Sequence, residues 1–212
     1  MGTGQQTADG QPFGHPKGLY YLSFTEMWER FSFYGMSALL TLYMVKELLL
    51  PENASQVIGL AALRNMFEFR GPMSDIAFSA IVYGWYAGLV YFTPIVGGWV
   101  ADRILGAKRT VMIGLLLMSA GHLAMSFYAS FVFALLLLIL GSGFLKGNIS
   151  AQVGALYPPS DESRRSRGFT IFSTGICIGA AGGPLVTGLV AVLYGWRGGS
   201  AKLHSGIGGF SV

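Results

Sequence analysis

Five long apolar runs constrain this chain more than any other feature. They lie at roughly 19–46, 76–101, 110–129, 130–157 and 168–194. Each holds the ~20 residues a helix needs, at ~1.5 Å per residue, to cross hydrocarbon ~30 Å thick. Lipid supplies no partner for backbone N–H and C=O groups, so such a run is satisfied as a helix. The expected fold is an all-α membrane protein, a bundle of about five transmembrane helices. Charged residues make up only 11% of the chain. Soluble domains carry about 25%, so this chain has too few to cover a water-facing surface. Its 31 glycines suit helices that pack closely in lipid.

Lysine and arginine set the expected orientation. Lys17 precedes the first run, Arg103, Lys108 and Arg109 follow the second beside Asp102, and Arg164, Arg165 and Arg167 follow the fourth. These segments fall on one side, which the positive-inside rule makes cytoplasmic. The chain is therefore expected in the cell membrane as a multi-pass protein with a cytoplasmic N-terminus. The net charge of +4 comes from these loops, so nucleic acid is not an expected partner. Residues 1–18 are polar and glycine-rich and read as a disordered cytoplasmic arm. The 47–75 connection mixes Arg64 and Arg70 with Glu47, Glu52, Glu68 and Asp75 and is expected outside. Within it, 54–69 is moderately amphipathic and reads as a short extension of a neighbouring helix. Residues 195–212 form an atypical glycine-rich tail, with the change of character that a truncation or shifted reading frame produces. The one cysteine, Cys177, excludes an intrachain disulfide.

Four full charges fall deep inside runs: Glu26, Glu29, Arg30 and Lys146. A charge at the bilayer centre costs at least a few kcal/mol unless it is paired or hydrated. On a helix, Glu26, Glu29, Arg30, Tyr34 and Ser37 share an arc of about 140°. Arg30 and Tyr91 lie about 15 Å, and Lys146 about 16 Å, from the inner ends of their runs. Opposite charges at one depth, summing to zero, suit mutual neutralisation. A buried carboxylate beside a cation titrates when its partner moves, which is the chemistry of a proton-coupled transport site.

The remaining features read more plainly. His122 stands alone as a packing residue. Pro94 and Pro184 bend their helices. Trp85 and Tyr86 pack or anchor, and Ser150 shares the face of Lys146 while Asn148 points away. No phosphate-cradling loop, metal-ligand cluster or nucleophile–base pair is present, so the chain does not read as an enzyme. No cofactor is expected; protons are the coupling ion.

Glu26-Met27-Trp28-Glu29-Arg30-Phe31-Ser32-Phe33-Tyr34-Gly35 resembles the ExxERFxYYG motif of proton-dependent oligopeptide transporters, a branch of the major facilitator superfamily. Phe33 replaces the motif's first tyrosine. Gly98 to Arg109 resembles the superfamily's loop between helices two and three. Gly141-Ser142-Gly143-Phe144-Leu145-Lys146-Gly147-Asn148-Ile149-Ser150 is similar to the branch's helix-four signature, and 169–189 to its helix five. The four motifs follow in order over about 19–194. The resemblance implies two six-helix halves with substrate bound between them at the midplane, of which this chain supplies the N-terminal part. A C-terminal half or partner chain would be needed for transport. The implied function is symport of di- and tripeptides with protons by alternating access; the alternative is a truncated, non-transporting remnant or membrane interaction module. Carried over by position, Glu26, Glu29 and Arg30 form the proton-coupling cluster and salt-bridge with Lys146. Arg30, Tyr34, Tyr91 and Lys146 contact peptide, and Asp102, Arg103, Lys108 and Arg109 form a gating loop. Family members commonly carry arginine where this chain has Ser37, which implies a shifted solute preference.

Overall fold

In the computed structural model, residues 12–69 and 71–205 are described, with side chains for 13–69 and 71–193. Every regular element among them is helical. Five long helices correspond to the five apolar runs: α1 (Lys17–Tyr43), α4 (Asp75–Val100), α5 (Ala107–Ala124), α6 (Phe131–Ala155) and α7 (Glu162–Ser205). Two short helices, α2 (Pro51–Ala54) and α3 (Leu60–Phe67), lie in the first connection. Among the described residues, three stretches are long and apolar enough to cross a membrane on length and composition: Asp75–Leu105, Tyr128–Ala155 and Glu162–Leu193. α1 has the length, with 27 residues, but carries the charged stripe. α5 is shorter, at 18 residues, and starts on Lys108 and Arg109.

α1 packs chiefly on α7, and α4 and α5 both pack on α6. Small residues permit the close crossings. A Cβ added at Gly35 would stand 2.6 Å from Thr187 Cγ2, and one at Gly114 2.9 Å from the Gly141 carbonyl. One apolar cluster gathers Phe33, Met36, Leu40, Val82, Tyr86 and Leu138 toward one end. A second gathers Leu19, Val111, Leu145, Ile149, Val153 and Phe172 toward the other. On α1, Glu26, Glu29 and Arg30 lie between Leu19 and Phe33, so the charges are sandwiched between two apolar layers.

Three sequence expectations are corrected. The first is the disordered arm. The chain turns at Pro12–Gly14 and enters α1 at Lys17. His15 Nδ1 is 2.8 Å from the Tyr157 hydroxyl, and Arg164 Nε donates to the Gly14 carbonyl at 2.6 Å. Partners distant in sequence therefore order residues 12–18. Burial, then the nearby Arg164 and Arg167 charges, hold the His15 ring below its ordinary proton affinity. The remainder of the arm, 1–11, lies outside the described residues. The second correction concerns 54–69, which extends no long helix. α3 stands by itself, and Phe67 meets Phe78 and Trp85 of α4 at centroid distances of 6.4 and 6.3 Å. The third concerns Arg164, Arg165 and Arg167, which lie in the first turns of α7 rather than in a loop. Asp161 Oδ1 accepts from the Arg164 backbone N–H at 3.1 Å, which caps the helix start. The α7 backbone stays helical through Ser205; the rest of the tail, 206–212, lies outside the described residues.

The basic segments gather at one end of the bundle. Gln152 Nε2 donates to the Ala107 carbonyl at 3.3 Å, which joins the α4–α5 connection to α6 near the Gly14–Arg164 contact. The opposite end is closed by the 44–74 connection, where Ile58 N–H donates to the Ala129 carbonyl at 3.1 Å. Pro94 and Pro184 both lie inside continuous helices.

Candidate functional site

Helical spacing on α1 aims three charges inward. Arg30 Nε lies 3.1 Å from Glu26 Oε1 and 2.6 Å from Glu29 Oε2, with all three side chains at most 8% exposed. Arg30 Nε and Glu29 Oε2 are ion-paired without hydrogen-bond alignment. The aligned donor to Glu29 comes from α6: Ser142 Oγ gives its hydrogen to Glu29 Oε1 at 2.9 Å. A buried carboxylate needs such donors, because desolvation otherwise disfavours its charge.

Lys146 stands near this cluster but does not pair with it. The expected ion pair between its amine and the acidic stripe is not formed among the described residues. Its Nζ is buried with no hydrogen-bond partner there. It lies 4.6 Å from the centroids of both the Phe33 and Tyr91 rings. Ring quadrupoles attract a cation at that range. Arg30 reaches the same Phe33 ring, with Cζ 5.9 Å from its centroid. Phe33 thus lies within reach of both cations, and α1, α4 and α6 meet around it. Tyr34 packs edge-on against it at 5.2 Å, Tyr91 at 6.3 Å, and Tyr86 stacks at 6.1 Å. The structure therefore brings Glu26, Glu29, Arg30, Tyr34, Tyr91 and Lys146 to one locus. Tyr86 is buried, whereas Tyr91 is 60% exposed and opens the locus outward.

Asp102 and Arg103 sit in the π turn Ala101–Leu105, and Lys108 and Arg109 in the first turn of α5. All four are exposed and form no ion pair among the described residues. Gly106, at φ 77°, makes the sharp corner between them, a conformation glycine adopts without strain. Asn148 does bridge helices, donating to the Gly97 carbonyl at 3.2 Å, while Ser150 bonds only within α6.

Three contributors were not legible in the sequence: Ser142, Phe33 as a ring that both cations approach, and a bond between Ser32 and His122. Ser142 was detectable in principle, since it lies four residues before Lys146 and shares its helix face. The other two carried no such signal.

A family model of the Major Facilitator Superfamily matches residues 22–201. A di-/tripeptide transporter of Lactococcus lactis is 47% identical over 181 residues, covering 84% of this chain and 33% of the relative. A peptide transporter of Yersinia enterocolitica is 35% identical over 224 residues, covering 100% of this chain and 38% of the relative. The chain thus spans about a third of the length of the curated relatives it matches. Among solved structures, a peptide transporter POT in complex with alafosfalin superposes with a TM-score of 0.74 at 40% identity, over 92% of this chain and 36% of that one. A POT family transporter in complex with 5-aminolevulinic acid gives 0.67 at 33% identity, over 91% and 36%.

Proposed function

From the premise that this chain belongs to the Major Facilitator Superfamily, and corresponds to the N-terminal part of its proton-dependent oligopeptide transporter branch, we propose that it forms part of a proton-coupled symporter of di- and tripeptides. The observation that carries the reading is the locus around Phe33. One guanidinium there is held by two carboxylates, and a second cation is held only by rings.

The mechanism follows from that imbalance. A proton arriving on Glu26 or Glu29 removes one anion from Arg30. The guanidinium is then under-neutralised in a low-dielectric setting and favours a new anionic partner. Lys146, with no carboxylate of its own, favours the same partner. A peptide C-terminal carboxylate supplies it, and Tyr34 and Tyr91 offer hydroxyls to the peptide backbone. Proton and peptide therefore load together, and unloading one releases the other. Asp102, Arg103, Lys108 and Arg109 serve as the gating loop at the basic end, which faces the cytoplasm with the N-terminus in a cell membrane. No catalytic step and no cofactor enter this scheme. A segment matching the part of the relatives that this chain does not cover, or a partner chain, completes the site.

The test is uptake of labelled dipeptide into proteoliposomes under an imposed pH gradient, using this chain extended to the length of its relatives. Lys146→Ala is expected to abolish proton-driven uptake. Driven uptake that persists unchanged rejects the role of Lys146. The 212-residue chain alone is expected to give no uptake, which is also what a non-transporting membrane module gives. Restored uptake on supplying the remaining length of its relatives separates the two.

A further inference from the structure

His122 on α5 is an ionisable side chain near this locus that the scheme above does not use. Its Nδ1 lies 2.7 Å from the Met118 carbonyl. A carbonyl oxygen only accepts, so Nδ1 carries the hydrogen, and Nε2 is the basic nitrogen of the neutral ring. Nε2 faces the hydroxyl of Ser32 on α1. That hydroxyl donates to Nε2 while the ring is neutral and accepts from it once the ring is charged. A hydroxyl can turn in this way, so the bond survives both states.

The surroundings place the ring beside Glu29. Both side chains line a groove of about 810 Å³ bounded by α1, α5 and α7. Both also line a small inner cavity with Ser142 and Tyr86. Among the residues that line these two spaces with the ring, four helices present polar groups. α1 presents the Glu29 carboxylate, with Arg30 ion-paired behind it; α6 presents the Ser142 hydroxyl, α4 the Tyr86 phenol, and α7 the neutral Thr187. Glu29 is the anion among them, and its two oxygens are engaged by Ser142 and Arg30.

We propose that His122 is a second proton-holding side chain of this site, coupled to Glu29 across the cavity both line. A proton on Nε2 makes the ring a cation beside the carboxylate and competes with Arg30 for it. A proton on Glu29 removes the charge that favours the imidazolium. The two positions thus share proton occupancy, and Ser32 transmits the state of the ring to α1. This deepens the proton-coupled reading, yet its test reads the ring directly. A negative transport result and a negative titration are therefore distinguishable.

The test is nitrogen-15 NMR of the histidine-labelled chain in lipid nanodiscs. The chain has 3 histidines, and the His122→Gln spectrum assigns the ring. As the pH is brought down through and below the range of about pH 5 to 8 where imidazoles ordinarily titrate, Nε2 is expected to gain a proton while Nδ1 keeps its own. In Glu29→Gln the imidazolium-to-imidazole ratio at fixed pH is expected to fall about tenfold, the size of one pKa unit. Glu68→Gln, remote from the ring, is expected to leave it unchanged. The His15 signal reports whether each variant keeps its fold. If Glu29→Gln does not fold, the carboxyl carbon of Glu29 in the unmodified chain is followed instead, because coupled groups titrate in shared steps. A ring that stays neutral throughout, a ratio indifferent to Glu29, or independent titration of the two groups overturns the proposal.

Discussion

Arg30 with Glu26 and Glu29, and Arg64 with Glu68 and Asp75, are the same arrangement in two settings. In each, one guanidinium sits between two carboxylates, one of them four residues away in sequence: Glu26 on the same helix as Arg30, Glu68 just past the end of the helix that carries Arg64. Arg64 Nε is 2.9 Å from Glu68, and its Nη2 is 2.5 Å from Asp75. Its cation also lies 5.2 Å over the Phe78 ring, as Arg30 approaches Phe33. What differs is water. The Arg64 and Asp75 side chains are 33% and 48% exposed, against 8% and 2% for Arg30 and Glu29. Exposed ion pairs contribute about 0–1 kcal/mol, because solvent screens them and offers both groups an alternative. A buried pair has no alternative partner, so each member depends on the other. The outer cluster ties a connection down, whereas the inner one is the cluster proposed to take up a proton.

Removing the inner guanidinium is the largest expected effect. Arg30→Leu leaves two buried carboxylates facing each other, and is expected to cost about 3–5 kcal/mol in denaturant-driven unfolding of the chain in detergent micelles. A loss below about 1 kcal/mol, the scale of a surface pair, erases the distinction between the clusters. Ser142→Ala comes next. It removes a hydrogen bond to a buried charge and is expected to cost about 1.5–3 kcal/mol in the same assay. No change there means Glu29 does not depend on α6.

His15 offers an intermediate case, a buried ring at the bundle end. Burial, then Arg164 and Arg167, lowers its proton affinity in the folded state. The folded chain therefore binds fewer protons than the unfolded one as acid is added. The stabilisation is fully present above the unfolded histidine value of about 6.5 and is lost as pH falls through the lower folded value. Unfolding at a series of pH values is expected to show this acid-side loss in the unmodified chain and a flatter profile in His15→Gln. The smallest expected effect belongs to Arg64→Ala, about 0–1 kcal/mol, diminishing further with added salt. A salt-insensitive loss equal to that of Arg30→Leu would mean burial is not what separates the two clusters.

The helices were legible because hydrocarbon imposes a length and an apolarity that a linear sequence displays. Even there, the charged middle of α1 and the short α5 break the pattern. The ends were less legible. Nothing in residues 12–18 announces a bond from Gly14 to Arg164, and nothing in 54–69 marks α3 as separate from its neighbours. The site was half legible. Glu26, Glu29 and Arg30 share a helix face, so their contact follows from the period of 3.6 residues. Lys146 sits at a matching depth, but depth says nothing of direction, and the amine turned to Phe33 and Tyr91. Ser142 and His122 reach α1 from helices 113 and 90 residues away in sequence, distances no local pattern spans.

By itself, then, the sequence determined which segments form helices, where charge is buried along each, and that the burial is nearly neutral in sum. Each of these is a property of one helix against lipid or of a sum over residues. Which cation pairs with which anion, and which rings and hydroxyls stand between them, was decided by the tertiary structure. Those choices depend on how α4, α5 and α6 rotate about their axes when their small residues interlock, and packing between helices alone sets that rotation.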